Sequence, residues 1–356
     1  MKILIFSIRV GMGHIKAGEA VLEGINSLNS CAKLSILFDK IRLGRFINAS
    51  YLWMARYNPL LWAMFYKNSL FYNKIGKKYF DIRIKHEIER LIKQEKPKVV
   101  VSTHPFIASS LSTIPGKDFK IISVATDFDC HPIGINNDID LFIIPHKKTK
   151  EILLKKGIPD EKIKVIGIPI SLKFSRKKDI LKSDFGFDGK PIILEIGGGY
   201  GLGHMERFLP QLSKIKNKFQ VIVIAGFAER LKRKLEISLK KHGINGKVFG
   251  FVDNVDELMK ISNILLGKPG GISTMEAASC GLPIVISEVI KGHEEMNAEI
   301  LIEEGIALWP RYNDIPKTIE MLLNDNEKMN EMKKKAYKFS TPHASYEIAK
   351  TILELV

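Results

Sequence analysis

Residues 267–277 read GKPGGISTMEA and directly follow the apolar, β-rich run Ile264–Leu266. A buried strand that passes through Pro-Gly-Gly into a helix brings free backbone amides and the positive end of the helix dipole to one place. This geometry can hold a diphosphate. Glu276 lies in the same predicted helix. Its carboxylate can accept two hydrogen bonds from a ribose diol, or it can stabilise the helix dipole.

The same pattern of strand, loop and helix extends in both directions along the chain. The strand-like runs are Lys2–Ile8, Leu34–Phe38, Lys98–Ser102, Lys120–Ala125, Pro191–Ile196, Gln220–Ala225, Ile264–Leu266 and Pro283–Ile286. Their alternation with helical stretches predicts an α/β fold with parallel sheets and with ligands at the carboxyl ends of the strands. The 356 residues suffice for two such domains, predicted at 1–172 and 191–340 with a basic linker at 173–190. A helix within 341–356 can pack on either domain.

Histidines and an aspartate follow predicted strands in the first half of the chain. His14 ends the turn Gly11-Met12-Gly13-His14, whose glycines do not have the GxGxxG spacing of a dinucleotide site. This histidine is either a hydrogen-bonding residue at a helix start or a general base, since imidazole is suited to removing a hydroxyl proton. His104, Asp127 and His131 also follow strands, where they can bind a metal, orient a base or form a structural network. The spacing of Asp127, Cys130 and His131 matches no ordinary zinc signature.

Two further segments lie in the second half. The glycine-rich loop Gly197–Gly203, with Gly199 and Tyr200, precedes a predicted helix in the manner of an anion cradle. It lacks the Gly-Lys-Ser/Thr of a P-loop, which disfavours hydrolysis of a nucleoside triphosphate. The segment Gly292–Ala298 opens another predicted helix and contains His293 and Glu294, which can address the hydroxyl groups of a sugar.

The net charge is +16, from 55 Lys and Arg against 39 Asp and Glu. A chain with this charge is attracted to polyanions, such as nucleic acid, an anionic membrane surface or a phosphorylated small molecule. The three cysteines lie far apart without a CxxC pair, which disfavours disulfides and suits a reducing cytosol. No run reaches the roughly 18 to 20 apolar residues that cross a bilayer, so any membrane contact is expected at the surface.

Residues 43–80 combine aromatic and basic side chains without any acidic residue. This composition suits an interfacial membrane element, in which rings lie among the headgroups and cations meet anionic lipid. The alternatives are an insertion that fills the core of the first domain and a site for single-stranded nucleic acid. No nucleic-acid partner is expected, because the sequence contains no RNA-binding signature and no groove-reading basic helix. The candidate membrane residues are Trp53, Arg56, Trp62, Phe65, Lys67, Lys77 and Lys78.

Five motifs, in their order and spacing, resemble those of glycosyltransferase family 28: Gly11–His14, Thr126–Pro132, Lys162–Pro169, Lys268–Ala277 and Gly292–Ala298. The likeness extends over nearly the whole chain. It is to the monogalactosyldiacylglycerol synthases and processive diacylglycerol glucosyltransferases and, more distantly, to the N-acetylglucosaminyltransferase of peptidoglycan synthesis. The resemblance implies a GT-B fold, in which two Rossmann-like domains with parallel sheets face each other across a cleft. It also implies an N-terminal domain for the lipid acceptor and the membrane, and a C-terminal domain for a UDP-sugar.

The resemblance further implies roles for single residues. His14 would deprotonate the acceptor hydroxyl for direct attack on the anomeric carbon, with inversion and with Asp127 as a second catalytic residue. The acceptor side would include Gly11, Gly13, His104 and His131. The donor side would comprise Gly199 and Tyr200 of the glycine-rich loop, Phe251 and Val252 at uracil, Gly270, Gly271, Ile272 and Ser273 at the diphosphate, Glu276 at the ribose, and His293 and Glu294 at the sugar. Relatives usually have glutamine in place of His293 and tryptophan in place of Ile133. The identities of the donor sugar and of the acceptor therefore stay open.

The expected function is transfer of glucose or galactose from a UDP-sugar to a membrane lipid, foremost diacylglycerol, giving a β-glycolipid. The expected location is the cytoplasm, peripherally on the inner face of the cell membrane. The alternatives are a lipid-linked peptidoglycan-precursor N-acetylglucosaminyltransferase, a UDP-sugar epimerase of the same fold, and a UDP-sugar sensor. The longer glycine-rich first loop of the peptidoglycan enzyme is absent here. No prosthetic group is expected, the UDP-sugar is a substrate, and assistance by Mg²⁺ stays open.

Overall fold

The computed structural model describes residues 2–37, 49–50, 52–54, 58, 77–202, 204–216, 218–292 and 294–355, and for residues 77–84 it describes the backbone alone. Most of the predicted membrane element therefore lies outside the described residues, namely Arg56, Trp62, Phe65 and Lys67 together with the side chains of Lys77 and Lys78. His293 also lies outside them. Trp53 is described, and its side chain is 54% exposed.

The chain divides into two compact units. The first consists of Met1–Leu172, Lys291–His293 and Thr341–Val356, and the second of Lys173–Ile290 and Glu294–Ser340. The predicted linker, 173–190, lies within the second unit. There Lys182 Nζ donates hydrogen bonds to the carbonyl oxygen of Lys190, at 2.7 Å, and to Asn263 Oδ1, at 3.3 Å.

The first unit is built on a sheet of six parallel strands. In chain order its elements are β1 (Ile3–Ile8), α1 (Gly13–Ser27), β2 (Ala32–Leu37), α2 (Lys77–Glu95), β3 (Val99–Ser102), α3 (Pro105–Ser112), β4 (Lys120–Val124), β5 (Leu141–Ile144), α4 (Lys147–Lys155) and β6 (Ile163–Val165). The strand order is β2-β1-β3-β4-β5-β6. From β1 the chain adds β2 on one side of the sheet, and it then adds β3 to β6 in succession on the other side. The junction between β1 and β3 is therefore the reversal point of this sheet.

The second unit repeats this plan. Its elements are β7 (Ile192–Ile196), α5 (Met205–Leu212), β8 (Gln220–Ile224), α6 (Glu229–Lys241), β9 (Gly246–Phe249), α7 (Val255–Lys260), β10 (Ile264–Gly267), α8 (Gly271–Ser279), β11 (Ile284–Ile286), α9 (Glu295–Glu303), β12 (Ala307–Leu308), α10 (Ile315–Asn324) and α11 (Asn326–Phe339). The parallel strands have the order β12-β11-β10-β7-β8-β9. Here the reversal lies between β7 and β10.

The central strands are mostly apolar because helices cover both faces of a parallel sheet. In β3, for example, Val99, Val100 and Val101 are all fully buried. The α/β fold with two parallel sheets is confirmed, and each predicted strand is present within two residues of its expected bounds. Four strands were not predicted, namely β5, β6, β9 and β12.

A helix from the end of the sequence completes the first unit. This helix, α12 (Ala344–Glu354), packs against α1, and its residues Ile348 and Ile352 lie in the same core cluster as Ile3 and Ile25. The two helices approach closely at Gly24, where an added Cβ would lie 2.2 Å from the backbone oxygen of Ser345. Glycine is the residue that permits this contact.

Within the part of the chain that the structure describes, no helix combines the length and the apolar character that a bilayer crossing requires.

Candidate functional site

His14 lies at the reversal point of the first sheet, which is where open α/β sheets bind their ligands. Gly11, with φ of 73°, turns the chain after β1, and His14 is the second residue of α1. His14 Nδ1 lies 2.7 Å from the carbonyl oxygen of Thr103, which directly follows β3. A carbonyl oxygen only accepts hydrogen bonds, so Nδ1 carries a proton and Nε2 of the neutral ring retains its lone pair. The ring is therefore held in the tautomer that a general base requires.

A threonine hydroxyl links this histidine to Asp127. Thr126 Oγ1 lies 3.1 Å from His14 Nδ1 and donates to Asp127 Oδ2 at 3.2 Å. Thr126 is buried and Asp127 is half-buried. The structure thus brings the two predicted catalytic residues together and adds two threonines that the sequence analysis missed. The signals for these threonines were their places after strands β3 and β4 and, for Thr126, its position in the motif Thr126–Pro132.

His104 and His131 have structural partners at the same edge of the sheet. His104 Nδ1 accepts a hydrogen bond from the backbone of Phe106 and so caps α3. The rings of His104 and His14 meet edge to face, with centroids 4.4 Å apart. Burial, followed by the proximity of His14 and His131, holds the pKa of His104 well below its usual value. His131 Nδ1 likewise accepts from the backbone of Ile133. The neutral His104 fits the structural-network interpretation.

The glycine-rich loop lies at the reversal point of the second sheet. It packs tightly on the turn after β8, where an added Cβ at Gly226 would lie 2.3 Å from the carbonyl oxygen of Gly199. The backbone of Phe227 donates to that same oxygen at 2.8 Å. The ring of Phe227 stacks on that of Phe251 at a centroid distance of 4.3 Å, and Tyr200 lies 6.1 Å from Phe227. Three rings therefore line this edge of the sheet, and Phe227 was not predicted.

The turn Pro269-Gly270-Gly271 lies on the other side of the same reversal point. Gly270 precedes α8 in an extended conformation, no side chain caps the helix, and its first turn contains no acidic residue. No capping carboxylate therefore competes with an anion for the first backbone amides of α8, as an anion-binding site requires. Glu276 occupies the second turn instead of the first, which disfavours the helix-dipole interpretation. Ser273 and Glu276 are half-buried on one face of the helix.

Glu294, for which the resemblance implies contact with the donor sugar, lies beside the glycine turn. Its side chain is 1% exposed and forms an ion pair with Lys268. Its Oε2 accepts a hydrogen bond from the backbone of Ile290 at 3.0 Å. A nearby amide, Asn297 Nδ2, donates to the carbonyl oxygen of Pro269 at 2.8 Å. Burial thus places Glu294 behind the glycine turn, with Lys268 and Asn297 as partners that the sequence analysis missed.

A buried carboxyl group lies at the carboxyl end of β7. Burial, and secondarily the charge of Glu206, raises the pKa of Glu195 well above its usual value. Among the described residues, its Oε2 has no hydrogen-bond partner. Beyond it, His204 Nδ1 contacts Glu288 Oε2 at 2.8 Å. Among the described residues, no group of three or more His, Cys, Asp or Glu side chains is arranged to hold a metal ion.

Known proteins resemble this chain along nearly its full length. A family model described as monogalactosyldiacylglycerol (MGDG) synthase matches residues 14–170, and one described as glycosyl transferases group 1 matches residues 178–339. The processive diacylglycerol beta-glucosyltransferase of Bacillus cereus (strain G9842) is 29% identical to this chain over an alignment of 368 positions. The alignment covers 99% of this chain and 93% of that relative.

Solved structures share the fold at low sequence identity. MurG of Acinetobacter baumannii has a TM-score of 0.65 at 14% identity, covering 99% of this chain and 100% of its own. The UDP-GlcNAc 2-epimerase of Neisseria meningitidis, bound to UDP-GlcNAc, has a TM-score of 0.66 at 15% identity with the same coverage of both chains. At such identities these structures bear on the fold alone.

Proposed function

We propose that this chain, a GT-B glycosyltransferase of the monogalactosyldiacylglycerol synthase and diacylglycerol glucosyltransferase type, moves a hexose from a UDP-sugar to diacylglycerol with inversion. The matches of both halves of the chain to glycosyltransferase families confirm the resemblance inferred from its motifs. Diacylglycerol is favoured because the relative from Bacillus cereus, named for that acceptor, aligns with this chain from end to end.

The observation that carries the reaction is the tautomer of His14. Because the carbonyl of Thr103 accepts the Nδ1 proton, Nε2 can take a proton from an acceptor hydroxyl. The hydroxyl oxygen then forms a bond to the anomeric carbon as the bond from that carbon to the β-phosphate oxygen breaks. That electron pair leaves with UDP, and the proton remains on Nε2. Attack on the face opposite the leaving group inverts the anomeric carbon.

The donor would bind at the reversal point of the second sheet. The amides of Ile272 and Ser273 at the start of α8 suit the diphosphate, and Glu276 on the same helix suits the ribose. The backbone of Phe251 and Val252 would meet uracil beside the stacked ring of Phe227. The glycine-rich loop with Gly199 and Tyr200 would close the site from the side of β7.

The acceptor would reach this enzyme from a membrane surface. The net charge of +16 favours anionic lipid, and the aromatic and basic composition of residues 43–80 suits the headgroup region. We accordingly propose peripheral attachment to the inner face of the cell membrane, with no nucleic-acid partner. We also propose that no prosthetic group is needed. A requirement for Mg²⁺ is tested by adding a chelator to the assay.

The test is transfer of radiolabel into lipid by the purified chain. Liposomes of phosphatidylglycerol with diacylglycerol are mixed with labelled UDP-glucose or, separately, UDP-galactose. We expect label in the lipid phase with one donor, and none with liposomes that lack diacylglycerol or with the variant His14→Ala. Label that requires UDP-N-acetylglucosamine and a peptidoglycan precursor would contradict the proposal. So would epimerised UDP-sugar, or UDP binding without transfer to diacylglycerol.

A further inference from the structure

Lys268 lies where the two glycine turns of the second unit meet. It directly follows β10 and precedes Pro269-Gly270-Gly271. An added Cβ at Gly270 would lie 3.3 Å from Lys268 Nζ, and one at Gly198 would lie 3.8 Å from Lys268 Cε. The ammonium group is therefore adjacent both to the start of α8 and to the glycine-rich loop.

The partner of this lysine is an unusually buried carboxylate. The side chains of Lys268 and Glu294 are 16% and 1% exposed, and they form an ion pair. Burying two charges is costly, and a partly desolvated pair is weak evidence for a stabilising role. The ammonium group of Lys268 therefore places a positive charge at the sheet edge, where the amides of α8 already favour an anion.

The surrounding contacts fix the orientation of this charge. Glu294 Oε2 is held by the backbone of Ile290, so its carboxylate cannot rotate freely without losing a buried hydrogen bond. Asn297 lies in α9, the helix that Glu294 directly precedes, and its Nδ2 donates to the carbonyl oxygen of Pro269 at 2.8 Å. The start of α9 thus positions both the lysine and the turn that follows it.

We propose that Lys268 is a catalytic residue that binds the β-phosphate of the donor, and that Glu294 and Asn297 are positioning residues that hold it there. This inference rests on the proposed function. When the bond between the anomeric carbon and the β-phosphate oxygen breaks, the electron pair moves onto that oxygen. The ammonium of Lys268 is placed to stabilise the added charge, in a site where preorganised charges act most strongly.

The test compares two nucleotides that differ by the β-phosphate. Lys268→Met should weaken UDP binding by about 10- to 100-fold, the equivalent of one charged hydrogen bond. UMP binding should change by less than about 2-fold, because UMP lacks the group that the lysine contacts. Calorimetric titration of the full chain measures both affinities. Lys268→Arg, which keeps the charge, should retain most of the UDP affinity.

A matched control is Lys260→Met. Lys260 and Asp256 form another ion pair of the second unit, with side chains 18% and 9% exposed, but Lys260 ends α7 before β10 begins and so lies away from the glycine turns. This variant should keep the affinities for both nucleotides. A general loss of structure in Lys268→Met would lower the affinities for UDP and UMP equally, and that result would overturn the proposal.

Glu294→Gln separates the positioning role from a purely structural one. This variant leaves a partly buried ammonium without its carboxylate, so the free protein should lose stability. If Glu294 positions Lys268, the variant should also bind UDP more weakly than the original chain does, while its affinity for UMP, which lacks the β-phosphate, should change by less than about 2-fold. Unchanged UDP affinity, or equal losses of affinity for UDP and UMP, would contradict the positioning role. If the original chain binds neither UDP nor UMP, the proposed donor itself is wrong. If the original chain binds UDP and Lys268→Met binds it equally well, only the role of Lys268 is wrong.

Discussion

The Nδ1 atom of His14 lies 2.7 Å from the backbone carbonyl oxygen of Thr103, so a main-chain group sets the tautomer of the proposed base. Thr103 is fixed by the pairing of β1 with β3, and its own hydroxyl donates to the carbonyl oxygen of His14 at 3.0 Å. The orientation of the imidazole is thus tied to the register of two central strands and does not depend on one replaceable side chain.

Replacing the base should separate chemistry from donor binding. His14→Ala removes the proton acceptor, and turnover should fall by about 10²- to 10⁴-fold. The affinity for UDP should stay nearly unchanged, because the proposed donor residues lie on the other sheet. Turnover is measured by transfer of label to lipid, and affinity by calorimetric titration. A fully active His14→Ala variant would remove His14 from the mechanism.

The link from Thr126 to Asp127 predicts that substitutions of these two residues have coupled effects on turnover. Thr126→Val deletes the hydroxyl that contacts both His14 and Asp127, and turnover should fall by about 3- to 10-fold. Asp127→Asn should also lower turnover. Because the two residues act through one network, the double variant should lose less than the product of the two single losses. Strictly multiplicative losses would show that the residues act independently.

The site features that could be predicted from the sequence are those formed by residues close together along the chain. The turn at Gly270 and the start of α8 were predicted, because strand, glycine and helix signals lie within a dozen residues. The contact of His14 with Thr103 could not be predicted, since 89 positions separate the two residues and strand pairing alone joins them. For the same reason Lys268 and Glu294, 26 positions apart, were not recognised as partners.

Two of the four strands that escaped prediction, β6 and β12, lack the hydrophobic pattern on which prediction depends, whereas β5 is short but apolar and buried throughout. In the edge strand β6, Ile163 is buried, whereas Lys164 and Val165 are exposed. The strand β12 has two residues, too few for any periodicity. Edge and short strands are specified by their neighbours in the sheet, which a single sequence does not reveal.

The approach of α1 and α12 predicts a strong effect of one methyl group. Gly24→Ala would improve helix propensity by about 1 kcal/mol, but its Cβ would lie 2.2 Å from the backbone oxygen of Ser345. The helices must separate to admit it, so we expect a net loss of about 1–3 kcal/mol in the free energy of unfolding. Urea denaturation measures this loss. Gly189→Ala, where an added Cβ meets no atom within 4 Å, serves as the control and should be nearly neutral.

The buried carboxyl group of Glu195 predicts a pH-dependent stability. Because its pKa in the folded chain is raised well above 4.5, the folded state binds more protons than the unfolded state as pH rises above that value. Its contribution to stability is therefore lost with increasing pH. Glu195→Gln cannot ionise, so its stability relative to the original chain should increase between about pH 5 and about pH 8. Exposed Glu299→Gln is the control, and a pH-independent difference for Glu195→Gln would contradict the prediction.

The three cysteines should differ sharply in reactivity. Burial raises the pKa of both Cys130 and Cys280 to about 12, whereas Cys31 is exposed. The thiolate is the reactive form, so at about pH 8 the thiols of half-buried Cys130 and buried Cys280 stay protonated and inert. Titration of the native chain with a disulfide reagent should therefore give one fast thiol, which Cys31→Ser abolishes. A second fast thiol in the folded protein would contradict this assignment.

The two longest segments of the first unit, Met1–Leu172 and Thr341–Val356, flank the second unit in the sequence. Helix α12 of the first unit covers the sheet face that carries Ile3 and Ile5. A ribosome produces the residues of α12 only after the second unit has been synthesised, and domains begin to fold during synthesis. That apolar face of the nascent chain consequently stays open to water, and to chaperones, throughout translation of residues 173–340. The first unit therefore begins to be translated before the second unit, but its core is completed only after the second unit has been synthesised.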